Sequence, residues 1–287
     1  MLGYADPSHA PGRTEPVAAT RAVHHINLSH GLAVRTMREI DPSPQQGVVI
    51  NLMPMHVVGD DPDGAAADGV RRYDALRNRV WIEPMLLGRY PDDAVADLEA
   101  FGGLPVEEGD LEIIAQPLDW LGVNYYNDDH VRAQPGGSWR ATPGMKDAVP
   151  FAPEGEHTDM GWPITPDGLR ALMVGLTEAY PNLPPMYVTE NGVAYDDPVV
   201  DGAVHDDRRI AYLDAHLRAI HAAIEEGADV RGYFQWSLMD NFEWSHGYHK
   251  RFGIVHVDYD TLERTPKDSA YWYREVIARN GLEPIGD

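Results

Sequence analysis

Three short stretches of this sequence set carboxylates, amides and aromatic rings directly behind apolar runs. They are Asn124-Tyr125-Tyr126, Thr189-Glu190-Asn191-Gly192, and Trp236-Ser237 followed by Asp240-Asn241-Phe242-Glu243-Trp244. A core does not accept such polar groups unpaired, so each stretch is a candidate wall of a site. The mixture suits carbohydrate: aromatic faces stack on the apolar face of a pyranose, while carboxylates and amides bind hydroxyls in pairs. A carboxylate beside an anomeric carbon either attacks it or stabilises an oxocarbenium-like transition state. Glu190 is the candidate, following an apolar run and preceding Asn-Gly, which reads as a turn pair. By residue type alone, one carboxylate there fits a solvent-facing strand end equally well. Trp236 alone fits core packing, since Trp is mostly buried.

The elements that must position these residues follow from hydrophobic spacing. Residues 15–40 read as an amphipathic helix with Val23, Ile26, His30, Val34, Met37 and Ile40 on one face, Thr14 as cap and Pro16 in the first turn. Residues 47–58 (GVVINLMPMHVV) read as one strand buried on both faces. Further strands are expected at 119–127, 185–193 and 231–240. Helices are expected at 65–81, 91–101, 166–179 and 266–279. Another is expected at 206–226, with Ile210, Leu213, Leu217, Ile220 and Ile224 on one side. Alternating strands and helices argue for an α/β architecture with a parallel sheet. Residues 127–162 read as one long irregular loop that shapes a pocket.

Composition narrows the function classes. The 287 residues carry 46 acidic and 23 basic side chains, a formal charge of -23. Such a surface repels polyanions, so nucleic acid is not an expected partner. There is no cysteine, and no GxGxxG, Walker lysine loop, HExxH or GxSxG occurs, so no cofactor is expected. His24, His25 and His30 lie in a helix without a third ligand type nearby and read as core or surface histidines, so no metal site is expected. No apolar run approaches the roughly 18 residues of a membrane helix. The opening MLGYADPSHAPGRTEP lacks the pattern of a secretory leader. A cytoplasmic protein without a membrane partner is the expectation.

TENG, WSLMDNFEW and the preceding NYY together resemble the family 1 glycoside hydrolases, the β-glucosidase family. HAPG (9–12), HHINLSHGLAV (24–34), GRYP (88–91), GWPITPDGL (161–169) and GYHKRFGIVHVDY (247–259) support the likeness, in the family's order, from residue 3 to about residue 275. The resemblance implies an eight-stranded (β/α) barrel and retaining hydrolysis of a terminal β-glucoside or related sugar. It implies that Glu190 is the nucleophile and that Tyr126 hydrogen-bonds it. Asn124 lines the same pocket, Glu243 binds two hydroxyls and Trp244 donates to another. Trp236 is the platform under the ring, and Phe252 belongs to the same wall.

The sequence also departs from the family. No Asn-Glu-Pro, the motif of the family's acid/base glutamate, occurs in it. Met-Leu-Gly-Tyr at its start resembles the loop just downstream of that motif. Ile82-Glu83-Pro84 is no substitute, since that position lies in a turn far from the catalytic strand end in the family. The expectation is a single incomplete domain over residues 1–287, the C-terminal half of the barrel with strands five to eight. Two other readings stand beside catalysis: a vestigial sugar-binding half-barrel, or a fragment active only with a complementary N-terminal chain.

Four parallel strands do not close a small barrel, which usually takes eight. Strand faces left wet forfeit about 25 cal/mol per Å² of apolar surface, and an isologous dimer is the commonest way for identical chains to cover one. The purified chain is therefore expected to be a dimer or larger oligomer unless a complementary fragment covers it. Light scattering coupled to size exclusion over a dilution series checks this; a stable monomer near 31.9 kDa that binds no hydrophobic dye contradicts it.

Overall fold

Pro16 opens the first helix, α1 (Pro16–Ile40), at a position where its missing N–H leaves no intrahelical bond unmade. The computed structural model describes residues 3–284. Met1 and Leu2 of the expected opening loop lie outside them, as do residues 285–287. The chain divides into two compact units. The first comprises Met1–Val123, Asp128–Pro153 and Tyr180–Met186; the second comprises Asn124–Asn127, Glu154–Ala179 and Tyr187–Asp287.

In the first unit α1 is followed by β1 (Gly47–Asn51), β2 (Met55–Val57) and α2 (Ala65–Asp74). A π-helical turn (Ala75–Arg79) leads into α3 (Val80–Leu87), and then come α4 (Asp92–Glu99) and α5 (Asp110–Ile114). The remaining strands are β3 (Trp120–Asn124), β4 (Asp129–Ala133) and β5 (Ala148–Pro150). Strands β1 and β3 are neighbours in one sheet, while β2, β4 and β5 form another.

Several expectations need correction here. The run 47–58 is two strands, because Asn78 takes up both main-chain groups of Met53 through its side chain and Pro54 has no N–H to pair. The strand is not buried on both faces either, since Val49 is 46% exposed. The stretch 127–162 is not wholly irregular: β4 pairs parallel with β2 and antiparallel with β5. Ile82-Glu83-Pro84 lies inside α3 rather than in a turn, and burial raises the Glu83 carboxyl.

The helix α1 is capped at Glu15, not Thr14, and without a side-chain bond. Its buried face is also rotated from the expected one. Ile26 is 54% and Ile40 79% exposed, whereas His24, Asn27 and Gly31 are buried. Polar partners decide this. His24 bonds Asp110 through Nε2 and Tyr90 through Nδ1, and Asn27 donates to the Val80 carbonyl and to Tyr90. Gly31 lets α5 approach so closely that a Cβ there would overlap the Ile113 carbonyl.

The second unit holds α6 (Pro166–Ala179), most of β6 (Met186–Asn191), α7 (Asp207–Glu225), β7 (Val230–Gln235), β8 (Val255–Val257), β9 (Arg264–Pro266) and α8 (Asp268–Arg279). Strands β6 and β7 are neighbours, and α6 packs on α7. The last helix starts two residues later than expected because residues 264–266 pair antiparallel with β8. On α7 the buried side carries Arg209, Tyr212, Leu213, His216 and Ile220, while Ile224 is 44% exposed. The expected apolar side is thus shifted toward polar residues that bind main chain. Among the described residues, no helix is long and apolar enough to cross a membrane.

Two glycines in helices separate packing from propensity. Gly31→Ala should destabilise the chain by about 1–3 kcal/mol through overpacking. Gly175→Ala, which meets nothing within 4 Å, should gain up to about 1 kcal/mol. Paired denaturant titrations check both signs.

Candidate active site

The end of β3 runs beside the end of β6. The Tyr125 N–H donates to the Glu190 carbonyl at 2.9 Å, and the Tyr126 hydroxyl donates to Oε2 of the Glu190 side chain at 2.6 Å. A hydroxyl-to-carboxylate bond of that length is charge-assisted and strong. Tyr126 is buried against Ala194 and Phe252, with Met160, Trp162 and Trp236 packed around them. Its ring lies 5.4 Å from Trp162 and 5.9 Å from Phe252. Burial first, then the Glu190 charge, push the phenol far up. Tyr126 therefore remains a protonated donor throughout the working pH range. One residue back, the Thr189 hydroxyl donates to Asn124 Oδ1 at 2.7 Å, tying the same two strand ends a second time.

The end of β7 closes on this pair from the other side of Asn191. The Trp236 N–H donates to the Asn191 carbonyl at 2.9 Å, and the Ser237 N–H donates to the Phe252 carbonyl at 3.1 Å. The peptide between Trp236 and Ser237 is cis. Asn191 and Gly192 do not form the expected turn. Asn191 is the last, fully buried residue of β6. Gly192 is small because a Cβ would overlap the Trp236 carbonyl oxygen. The side chain of Asn191 reaches back, donating to the Tyr125 carbonyl at 2.9 Å and to the Tyr212 hydroxyl at 3.1 Å.

The segment after β7 is less uniform than its sequence suggested. Asp240 is buried, and it accepts from Arg251 at 2.7 Å and from the Gly253 N–H at 3.0 Å. It therefore belongs to the framework rather than to a wall. Glu243 starts a tight turn in which its N–H donates to the Gly247 carbonyl at 2.7 Å. Burial first, then the negative charge of Glu190, raise the Glu243 carboxyl. Trp244 sits at φ 41° and is 71% exposed.

Of the residues singled out in the sequence, Glu190, Tyr126, Trp236 and Phe252 meet around one aromatic cluster, and Asn124 is linked through Thr189. Glu243 lies within electrostatic reach of Glu190. Trp244 faces solvent. Sequence reasoning did not single out Trp162 and Met160 in the wall, nor Arg209 and Tyr212 behind it, and it read Asn191 as part of a turn rather than as a buried strand residue. The available signal was on α7, where Arg209 and Tyr212 lie three apart beside Leu213 on a buried side. Among the described residues no group of three or more His, Asp or Glu is arranged to hold a metal.

The sequence model of glycosyl hydrolase family 1 matches residues 1–282. A bifunctional β-D-glucosidase/β-D-fucosidase of Bifidobacterium breve is 46% identical, over 96% of this chain and 61% of its own length. Among solved structures, a psychrophilic β-glucosidase from Micrococcus antarcticus superposes with a TM-score of 0.90 at 45% identity, covering 98% of this chain and 62% of that one. The β-glucosidase from Thermotoga maritima in complex with deoxynojirimycin gives a TM-score of 0.86 at 37% identity, covering 98% and 61%. The chain thus spans about three fifths of the length of these relatives.

The raised Glu243 carboxyl has a pH consequence. The folded chain binds this proton more tightly than the unfolded chain, whose value is near 4.5. The group's contribution is therefore most favourable below that pH and declines as pH rises through the folded value. Glu243→Gln removes the decline, so its melting temperature should rise relative to the native chain between pH 4 and pH 6. Parallel melts across that range check it; curves that stay a constant distance apart contradict it.

Proposed function

Since the chain belongs to glycosyl hydrolase family 1, we propose that it is the nucleophile-bearing, C-terminal part of a retaining β-glycosidase of the (β/α)8 barrel type. The 2.6 Å bond from Tyr126 to Glu190 carries this reading. It holds one oxygen of an ionised carboxylate and leaves the other to attack an anomeric carbon. As the glycosyl bond forms, the charge on Glu190 disappears. Tyr126, still protonated, then holds the ester oxygen more loosely. Trp236 and Phe252 supply the apolar surface for a pyranose face, while Asn124 and Glu243 supply hydroxyl partners. Trp244 joins them when its exposed indole meets substrate. A β-glucoside or a close relative is the substrate class, in keeping with the names of the relatives.

Retaining hydrolysis uses two carboxyl groups about 5–5.5 Å apart, and no Asn-Glu-Pro occurs here. Without an acid, glycosylation by natural glycosides slows by about 10²–10⁴-fold. Activated aryl glycosides, whose leaving groups need no proton, suffer less. A second reading has its own support: activity that requires a complementary chain. Phe234 at 58%, Leu238 at 64% and Trp244 at 71% exposure are large apolar side chains for which the remaining two fifths of a relative's length offers a cover. A second copy of this chain is the alternative cover. A sugar-binding protein without turnover keeps the same wall.

Incubation with a 2-deoxy-2-fluoro β-glucoside carrying a dinitrophenolate leaving group should add one glycosyl mass to the chain. Peptide mapping should find it on Glu190, and Glu190→Gln should take up none. A label on another residue, or sugar binding without any label, would sink the nucleophile assignment.

A further inference from the structure

Arg209 is fully buried, and every part of its guanidinium is bonded. Its Nε donates to Asp206 at 2.9 Å, and one terminal nitrogen donates to Asp197 at 2.6 Å and to the Arg251 carbonyl at 3.3 Å. The other donates to the Val193 and Phe252 carbonyls. Val193 lies three residues beyond Glu190. Phe252 packs against the ring of Tyr126. One turn along α7, the Tyr212 hydroxyl donates to the carbonyl of Tyr126 itself at 3.1 Å. The same hydroxyl accepts from Asn191, the residue after Glu190, at 3.1 Å. Both strand ends that meet in the Tyr126–Glu190 bond are therefore also held, from behind, by the first two turns of one helix.

The geometry points to Tyr212 and Arg209 as positioning residues that set the alignment of the Tyr126 hydroxyl with the Glu190 carboxylate. Neither touches the carboxylate. Tyr212 acts through two groups, the main chain of Tyr126 and the side chain of Asn191. Arg209 acts through the main chain that continues from Glu190 and through Phe252. Guanidinium geometry matters here: five N–H groups in a rigid fork serve three carbonyls and two carboxylates, which an ammonium with three donors does not match. The consequence for chemistry rests on Glu190 being the nucleophile, as proposed above, but the alignment itself does not.

A spectroscopic test separates the two. A short hydroxyl-to-carboxylate bond shielded from water gives a downfield hydroxyl proton resonance. In the native chain that resonance should be present, and it should vanish in Tyr126→Phe and in Glu190→Gln, which assign it. Tyr212→Phe removes one oxygen atom and Arg209→Lys keeps the charge. Both should shift the resonance upfield or lose it to exchange. Tyr90→Phe removes a buried hydroxyl in the first unit and should leave it unmoved. Under the fluoroglycoside, Tyr212→Phe should label up to about 100-fold more slowly, the scale of a 1 Å misplacement.

An unchanged resonance in folded Tyr212→Phe overturns the proposal, as does a native chain without the resonance. So does a Tyr212→Phe chain that loses its near-ultraviolet circular dichroism, because the hydroxyl would then hold the fold rather than the pair. If the native chain shows the resonance and Tyr212→Phe shifts it, yet no label is taken up, the positioning stands and the nucleophile assignment falls.

Discussion

A cluster of buried, mutually paired charges is the constraint on which the second unit depends. Arg209, Asp206, Asp240 and Lys267 are all buried, and Asp197 is nearly so. Arg209 pairs with Asp197 and Asp206, Lys267 lies 3.3 Å from Asp197 and 3.7 Å from Asp240, and Arg251 lies 2.7 Å from Asp240. Desolvating such ions costs several kcal/mol each and is offset only when every charge keeps its partners. The cluster has therefore essentially one arrangement. Its members come from α7, the segment after β6, the segment after β7, β8's flank and the start of α8. Ser269 completes it by donating to Asp206 through both its N–H and its hydroxyl. Fixing these charges fixes the segments that carry them, including both neighbours of the candidate site.

The site inherits that rigidity. Glu190 stands at the end of a strand whose next residue, Asn191, has its amide donors and its carbonyl engaged. Tyr233 donates to Asn191 Oδ1 at 2.9 Å from the adjacent strand. Such support leaves the Glu190 carboxylate little room to move relative to Tyr126. The opposite holds for the loop that carries Glu243 and Trp244. That loop is closed by short main-chain bonds and presents its indole to solvent.

A family model over residues 1–282 and relatives at 46% identity speak for a glycosidase lineage. The chain spans 61% of the length of such a relative. No Asn-Glu-Pro occurs in the sequence, and Phe234, Leu238 and Trp244 are exposed.

The sequence by itself determined the α/β alternation and the bounds of α6, and its ordered motifs named Glu190, Tyr126, Trp236 and Phe252, which the fold brings together. The first two follow from local periodicity, and the last from motifs that resemble those of the family. It did not determine which side of α1 or of α7 faces inward. Apolar spacing favoured Ile26, Ile40 and Ile224, whereas the folded chain buries His24, Asn27, Arg209 and Tyr212 because each finds a partner far along the sequence. Nor did it show that 47–58 breaks at Pro54, which depends on Asn78 arriving from another helix. Hydrophobic period is a property of neighbours in sequence and is legible there. The burial of a polar group depends on a partner dozens of residues away, so only the tertiary structure decides it.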